Sequence, residues 1–201
     1  MRRHDKAFHD PQAIADLMRR APTGFLALAD AEGPFAVPVN FAYVAEEQRI
    51  YFHSAAEGRK VAAMDGSPRA GFTVCEYLGT MPDRVPGKVG TAYRSVMARG
   101  RLRRVTDLAE ETRVLQLLLD KYVPGFFDRP LLPSHVDRYR SSRGSRVLVV
   151  AFEIEELTAK AALPRGRAIF TPGMTVRDLP LVRTRSPSAG HDHGVPGPGG
   201  F

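Results

Sequence analysis

The sequence predicts an antiparallel β-barrel with helices packed on its outside. Three observations carry that expectation. Short apolar or alternating runs follow one another between residues 24 and 54, separated only by tight turns, whereas parallel neighbours would need crossovers of a dozen residues. Further strand patterns over 70–77, 93–105 and 146–155 bring the count to five or six in hairpin order, with helical periods interposed. Glycine (18) and proline (16) exceed average usage in the 201 residues, and outside the last sixteen the excess suits a turn-rich β protein.

The elements follow in order. Asp10 can cap the free amides of a first helix, Pro11 suits its first position, and Ile14, Leu17 and Met18 form an i, i+3, i+4 stripe. Arg19 and Arg20 suit its C-terminal end. The period then changes: Gly24–Asp30 is a strand, Asp30–Gly33 a turn, Pro34–Val44 a second strand, and Arg49–Ser54 a third. A short helix covers roughly residues 58–65 and is ended by Gly66-Ser67-Pro68. Ala70–Tyr77 is the fourth strand. Leu78–Gly90, with three glycines and two prolines, reads as a long loop of the kind that overhangs sites. Tyr93–Val105 is the fifth strand, with Gly100 as a bulge. Thr106 or Asp107 caps a helix over 108–122, with Val114, Leu115, Leu118 and Leu119 on one face, and Pro124-Gly125 stops it. No element is assigned to 126–144. Arg146–Glu155 is the clearest strand of the chain. The expected organisation is one domain over 1–170, then an extended segment over 171–201 that is disordered from about 186.

Composition narrows the function classes. With 43% hydrophobic and 25% charged residues the chain is globular in type and long enough to bury a core. One cysteine, Cys75, excludes an internal disulfide and a multi-cysteine zinc site, and its alternating neighbourhood reads as a structural strand position. The charged N-terminus does not resemble a signal peptide, and no stretch approaches the ~18–20 apolar residues of a membrane span. The expectation is therefore a cytoplasmic protein without a membrane partner. A net charge of +7 and a pI near 9.9 admit an anionic ligand. Arg99, Arg101 and Arg103 alternate on one strand face without interleaved aromatics, which reads as a solvated face and not as a nucleic-acid surface. His4, His9 and His135 are scattered, and the His191/His193 pair in the tail suggests no ordered metal site.

The informative stretch is Tyr51-Phe52-His53-Ser54-Ala55-Ala56-Glu57-Gly58-Arg59-Lys60. A strand delivers a hydroxyl, the chain turns through small residues, and a helix opens on two adjacent cations. Helix-start amides, a hydroxyl donor and a basic pair together meet the needs of a phosphate dianion, since cations at a helix N-terminus otherwise oppose its dipole. A solvated basic first turn is the alternative reading of the same residues.

This segment resembles the phosphate-binding strand–turn–helix of the pyridoxamine 5′-phosphate oxidase superfamily, the FMN-binding split barrels. Val37-Pro38-Val39-Asn40-Phe41 resembles the preceding strand of that family, and Tyr93-Arg94-Ser95-Val96-Met97-Ala98-Arg99-Gly100 its later strand. The combination, covering about residues 10–155, is most similar to the nitroimidazole-resistance (Nim-type) branch. The resemblance implies a six-stranded split barrel with flanking helices, mainly β with α, and non-covalent FMN at a homodimer interface. It implies that Ser54, Arg59 and Lys60 hold the phosphate, and that Val39 and Asn40 line the isoalloxazine edge. His53 is then the catalytic candidate beside the flavin, and Arg94 and Ser95 approach from the later strand. Gly58 stands where the oxidase proper has Ser and Ser95 where it has Gln, and the chain has no Trp, so pyridoxamine phosphate is not the implied substrate. The function implied is an FMN-dependent oxidoreductase reducing a small molecule, a nitro compound or similar, through flavin N5. The alternative is a non-catalytic flavin- or haem-binding protein on the same barrel, serving storage or sensing.

Overall fold

The computed structural model describes residues 4–142 and 144–179. Among them a single antiparallel sheet of seven strands is flanked by helices. Helix α1 (Pro11–Arg20) begins as its sequence requires: the Asp10 carboxylate accepts from the amides of Gln12 and Ala13, and Leu17 and Met18 are buried. Strands β1 (Gly24–Asp30), β2 (Gly33–Val39), β3 (Ala42–Val44) and β4 (Arg49–Ser54) precede helix α2 (Arg59–Gly66). Strands β5 (Arg69–Met81) and β6 (Gly90–Arg104), helix α3 (Leu108–Tyr122), helix α4 (Pro133–Arg138) and strand β7 (Leu148–Ala162) complete the order. Asp107 caps α3 by accepting from the Glu110 amide.

The sheet order is β2-β1-β5-β6-β7-β4-β3. Its two edge strands are therefore consecutive in the chain, and the sheet curls without closing. This corrects the expected strand count. Pro34–Val44 does not run as one strand: β2 pairs with β1, β3 pairs with β4 at the opposite edge, and the chain crosses between them at Asn40-Phe41. One segment serving both edges yields seven strands where six were expected.

Two further expectations are corrected. The segment read as a loop over 78–90 is largely ladder, because β5 continues to Met81 and β6 begins at Gly90. Gly79, at φ +134°, sits where the register shifts, so a glycine that suggested a loop serves a bulge instead. Thr80 also exchanges backbone hydrogen bonds with Phe170. The last strand continues seven residues past Glu155, through the polar alternation of Thr158 and Lys160. Residues 126–144, unassigned from sequence, contain α4. The tail expected to be disordered from about 186 lies outside the described residues.

The alternation of the strands builds two cores. Phe41, Phe52, Phe72 and Phe152 fill the inner one; the Phe41 and Phe72 rings meet edge to face at 5.1 Å. The outer one packs Tyr51, Val149 and Ala151 of the sheet beneath Val114 and Leu118 of α3. Cys75 lies on β5 as expected, but its side of the strand is exposed.

Candidate anion-binding site at the head of the second helix

β4 presents successive side chains to opposite faces. Ile50 and Phe52 enter the inner core, Tyr51 and His53 face α3, and Ser54 ends the strand on the Phe52 side. Gly58 then turns the chain at φ +120°, a region where a Cβ is strained, and α2 starts without any side-chain cap. The sequence reads glycine here for that reason.

The two cations that open α2 differ. Arg59 is exposed and bidentate to Asp30, at 2.7 and 3.0 Å, with Glu32 at 3.2 Å and the Phe35 ring 4.3 Å beneath it. Its guanidinium holds the Asp30 carboxyl below the usual carboxylate range. Lys60 is half-buried, its ammonium 5.7 Å from the centre of the Phe52 ring, and among the described residues it has no carboxylate within 4.0 Å. Burial alone lowers its pKa. His53 is accessible to solvent on one side and packed on the other; burial, and then the Lys60 charge, lower its pKa. The hydroxyl of Ser54 has no hydrogen-bond partner among the described residues. A hydroxyl, an uncapped helix start and a half-buried ammonium thus follow one another along the chain after β4, and this donor set fits a phosphate.

Val39 ends β2 and is buried, whereas Asn40 is exposed in the crossing between the sheet edges. The β3–β4 ladder ends at the pair Ala42–Tyr51, two residues short of Asn40. The crossing leaves the ladder, and the backbone of Phe41 finds other partners. The Tyr122 hydroxyl lies 2.8 Å from the Phe41 amide and 3.2 Å from its carbonyl, and Lys121 Nζ donates to that carbonyl at 2.9 Å and to Met18 at 3.3 Å. Sequence reasoning missed this clamp, because Lys121 and Tyr122 read as the ordinary last turn of a helix.

Burial lowers the Lys121 pKa to about 8. The folded state then binds fewer protons than the unfolded chain between that value and the ordinary lysine value of 10.5, so stability rises with pH across the window. Chemical denaturation of the parent and of Lys121→Met from pH 7.5 to 9.5 is expected to show a rise in the parent that the variant lacks. Parallel pH dependences would remove Lys121 as its source.

Arg94 and Ser95 lie elsewhere. Ser95 pairs with Lys160 on β7 and His53 pairs with Val149, eleven residues away on the same strand. That is about 36 Å of extended chain. Arg94 is held by Glu76 at 3.2 Å, and Ser95 faces a shallow concavity of the open sheet face with Gly71, Thr73, Met97 and Lys160. Within one chain His53 and Ser54 end β4 and Lys60 follows in the first turn of α2, whereas Arg94 and Ser95 lie far along the sheet from them.

The arginine row has partners that the sequence could not show. Arg99 pairs with Glu156, Arg101 with Glu155, Arg103 with Glu110 and Glu153, and Arg104 with Asp65, at 2.8–3.6 Å. Arg146 reaches Glu111 and Asp137. Exposed pairs contribute little stability, but they neutralise the stripe.

The sequence profile of the pyridoxamine 5′-phosphate oxidase family matches residues 10–161. The chain belongs to that family. Among curated proteins none matches it. Solved structures with the same fold include the flavocytochrome Anf3 of Azotobacter vinelandii (22% identity, 86% of this chain and 75% of that one, TM-score 0.66). They also include an FAD and heme binding protein of Mycobacterium smegmatis (18%, 90% and 94%, 0.64). A third is a candidate 5-nitroimidazole antibiotic resistance protein of Bacteroides thetaiotaomicron (24%, 77% and 85%, 0.59). At these identities the likeness is one of fold, and it identifies the curled sheet as the family's split barrel. Among the described residues no helix is long and apolar enough to cross a membrane.

Proposed function

We propose that this protein is an FMN-dependent oxidoreductase that reduces a small molecule and works as a homodimer. One observation carries the reading: Lys60, a half-buried ammonium without a carboxylate partner among the described residues, in the first turn of the uncapped helix α2. A phosphate there would supply the missing counter-charge. Bound FMN would contribute hydride or electron transfer at N5. The chain's own part is to hold the phosphate with Lys60, Ser54 and the α2 amides, to orient the ring edge with the Val39-Asn40 backbone, and to present His53 beside the substrate. The depressed pKa of His53 keeps its imidazole neutral near pH 7, able to donate from one nitrogen and accept at the other. Arg59, already engaged by two acidic side chains, is left a smaller part. The likeness to a candidate nitroimidazole resistance protein makes nitro compounds one substrate class to assay.

The dimer rests on the far end of the sheet. Phe25, Thr73, Met97 and Thr158 form one outward row across β1, β5, β6 and β7, and Phe25 and Met97 are 49% and 55% exposed. A second copy on this face would bury the row and could bring the partner's Arg94 and Ser95 toward the first copy's flavin. Sedimentation equilibrium tests this, with a dimer expected and a monomer at micromolar concentration against it.

A second reading, a non-catalytic flavin- or haem-binding protein, is favoured by a separate observation. His53 and His135 line the same apolar hollow, and two imidazoles are ligands that haem iron accepts. The FAD and heme binding relative keeps this reading open. The absorbance spectrum of the purified protein, after reconstitution with FMN, separates the two. Flavin bands that bleach with a nicotinamide or deazaflavin reductant and recover with a nitro or quinone acceptor support the oxidoreductase. A Soret band supports the second reading. A protein that takes up no flavin contradicts the first.

A further inference from the structure

A hollow of about 460 Å³ opens between α3, α4 and the end of β4. Its floor is Leu118 and Val136, buried in the outer face of the fold, and its rim carries Phe127 and Tyr139, 56% and 50% exposed. None of the ten side chains lining it is a carboxylate, an ammonium or a guanidinium. Its polar groups are two imidazoles, His53 from β4 and His135 from α4, and the Tyr139 phenol. In a protein with a net charge of +7, a concavity free of charged side chains is a selective feature.

We infer that this hollow binds an uncharged, planar aromatic compound of about two fused rings that carries a carbonyl, quinone or nitro oxygen as hydrogen-bond acceptor. The volume lies within the range of small-molecule sites, roughly 300–1,000 Å³. The walls offer apolar contact to ring faces and edges, and the imidazoles offer donors at two separate points. A charged ligand would lose its hydration and find no counter-charge among the ten lining side chains. His53 lines this hollow and directly precedes Ser54 in β4, so on the flavin reading a ligand here lies across the end of β4 from the phosphate site. The role of the hollow as a substrate site rests on the flavin reading; the binding itself does not.

The test uses 2-acetylnaphthalene, with 2-naphthoate as its charged counterpart, in equilibrium dialysis against the full-length protein with and without FMN. The ketone is expected to bind with a micromolar Kd and the carboxylate at least tenfold more weakly. Leu119→Glu, at a partly exposed wall position, should weaken the ketone tenfold or more and leave FMN affinity unchanged. Should that variant lose its native circular dichroism, Leu131→Trp occupies the hollow without adding charge and should have the same effect. His135→Phe keeps the volume and removes a donor, so it should weaken the ketone while leaving 2-methylnaphthalene unaffected. No ketone binding below 1 mM, equal affinity for the carboxylate, or unchanged affinity in the wall variants overturns the inference, as does haem filling the hollow. Ketone binding in a protein that takes up no FMN would leave the binding site standing and remove its role in a flavin reaction.

Discussion

Lys60→Ala is expected to lower FMN affinity by about 10- to 100-fold, the worth of one charge-assisted hydrogen bond at roughly 1.5–3 kcal/mol. Arg59→Ala is expected to cost much less, within about threefold, although the two residues are adjacent and both basic. The difference comes from their surroundings. Arg59 already donates twice to Asp30 and lies 3.2 Å from Glu32, so a phosphate would compete with two carboxylates for it. Lys60 has no such competitor among the described residues, and burial already disfavours its charge. An anion beside it removes a penalty as well as adding an attraction. Neither substitution should disturb the fold, since Arg59 is exposed and Lys60 only half-buried. Fluorescence titration of flavin into each apo variant measures the ranking, and equal losses for the two would mean that the Asp30 pairing gives way on binding.

Gly100→Ala is expected to be the most damaging single methyl group in the barrel. A Cβ there would stand 1.9 Å from the Glu153 carbonyl oxygen and 2.9 Å from its carbon, both backbone atoms. No rotamer relieves that contact, so β7 would have to move at the point where the β6–β7 register shifts. Overpacking against a rigid ladder costs about 3 kcal/mol or more. In a chain of this length that is a fall in Tm of roughly 10 °C. Gly87→Ala, which meets nothing within 4 Å, is the matched control and should be near neutral. A Gly100→Ala protein as stable as the parent would show that the bulge relaxes freely.

Much of this fold was legible in the sequence because local signals and tertiary structure agreed. Asp10-Pro11 and Asp107 stated where helices begin, and both carboxylates accept the expected amides. Gly100 was readable as a bulge because an interior strand has few other uses for glycine. The misreadings share one cause. Pro34–Val44 has a continuous strand pattern, and nothing local says that its two halves pair with opposite edges of a sheet. Gly79 and the polar end of β7 were misread in the same way, since a bulge resembles a loop and a half-exposed strand lacks an apolar run.

The site was legible only in part. Ser54, Gly58, Arg59 and Lys60 are consecutive or nearly so, and their chemistry can be read without a fold. That Arg59 is neutralised by Asp30, twenty-nine residues away, is a fact of strand placement. So is the clamp of Lys121 and Tyr122 on Phe41, about eighty residues distant in sequence. The arginines from 99 to 104 looked like a surplus because their carboxylates lie on β7 and the helices.

The proposed phosphate contact of Lys60 is tested most directly by comparing two ligands that differ by that phosphate. Apo protein titrated with FMN and with riboflavin, followed by flavin fluorescence, should bind FMN at least 100-fold more tightly, and Lys60→Ala should remove most of that ratio. Riboflavin binding as tightly as FMN, or a ratio unchanged in Lys60→Ala, would contradict it.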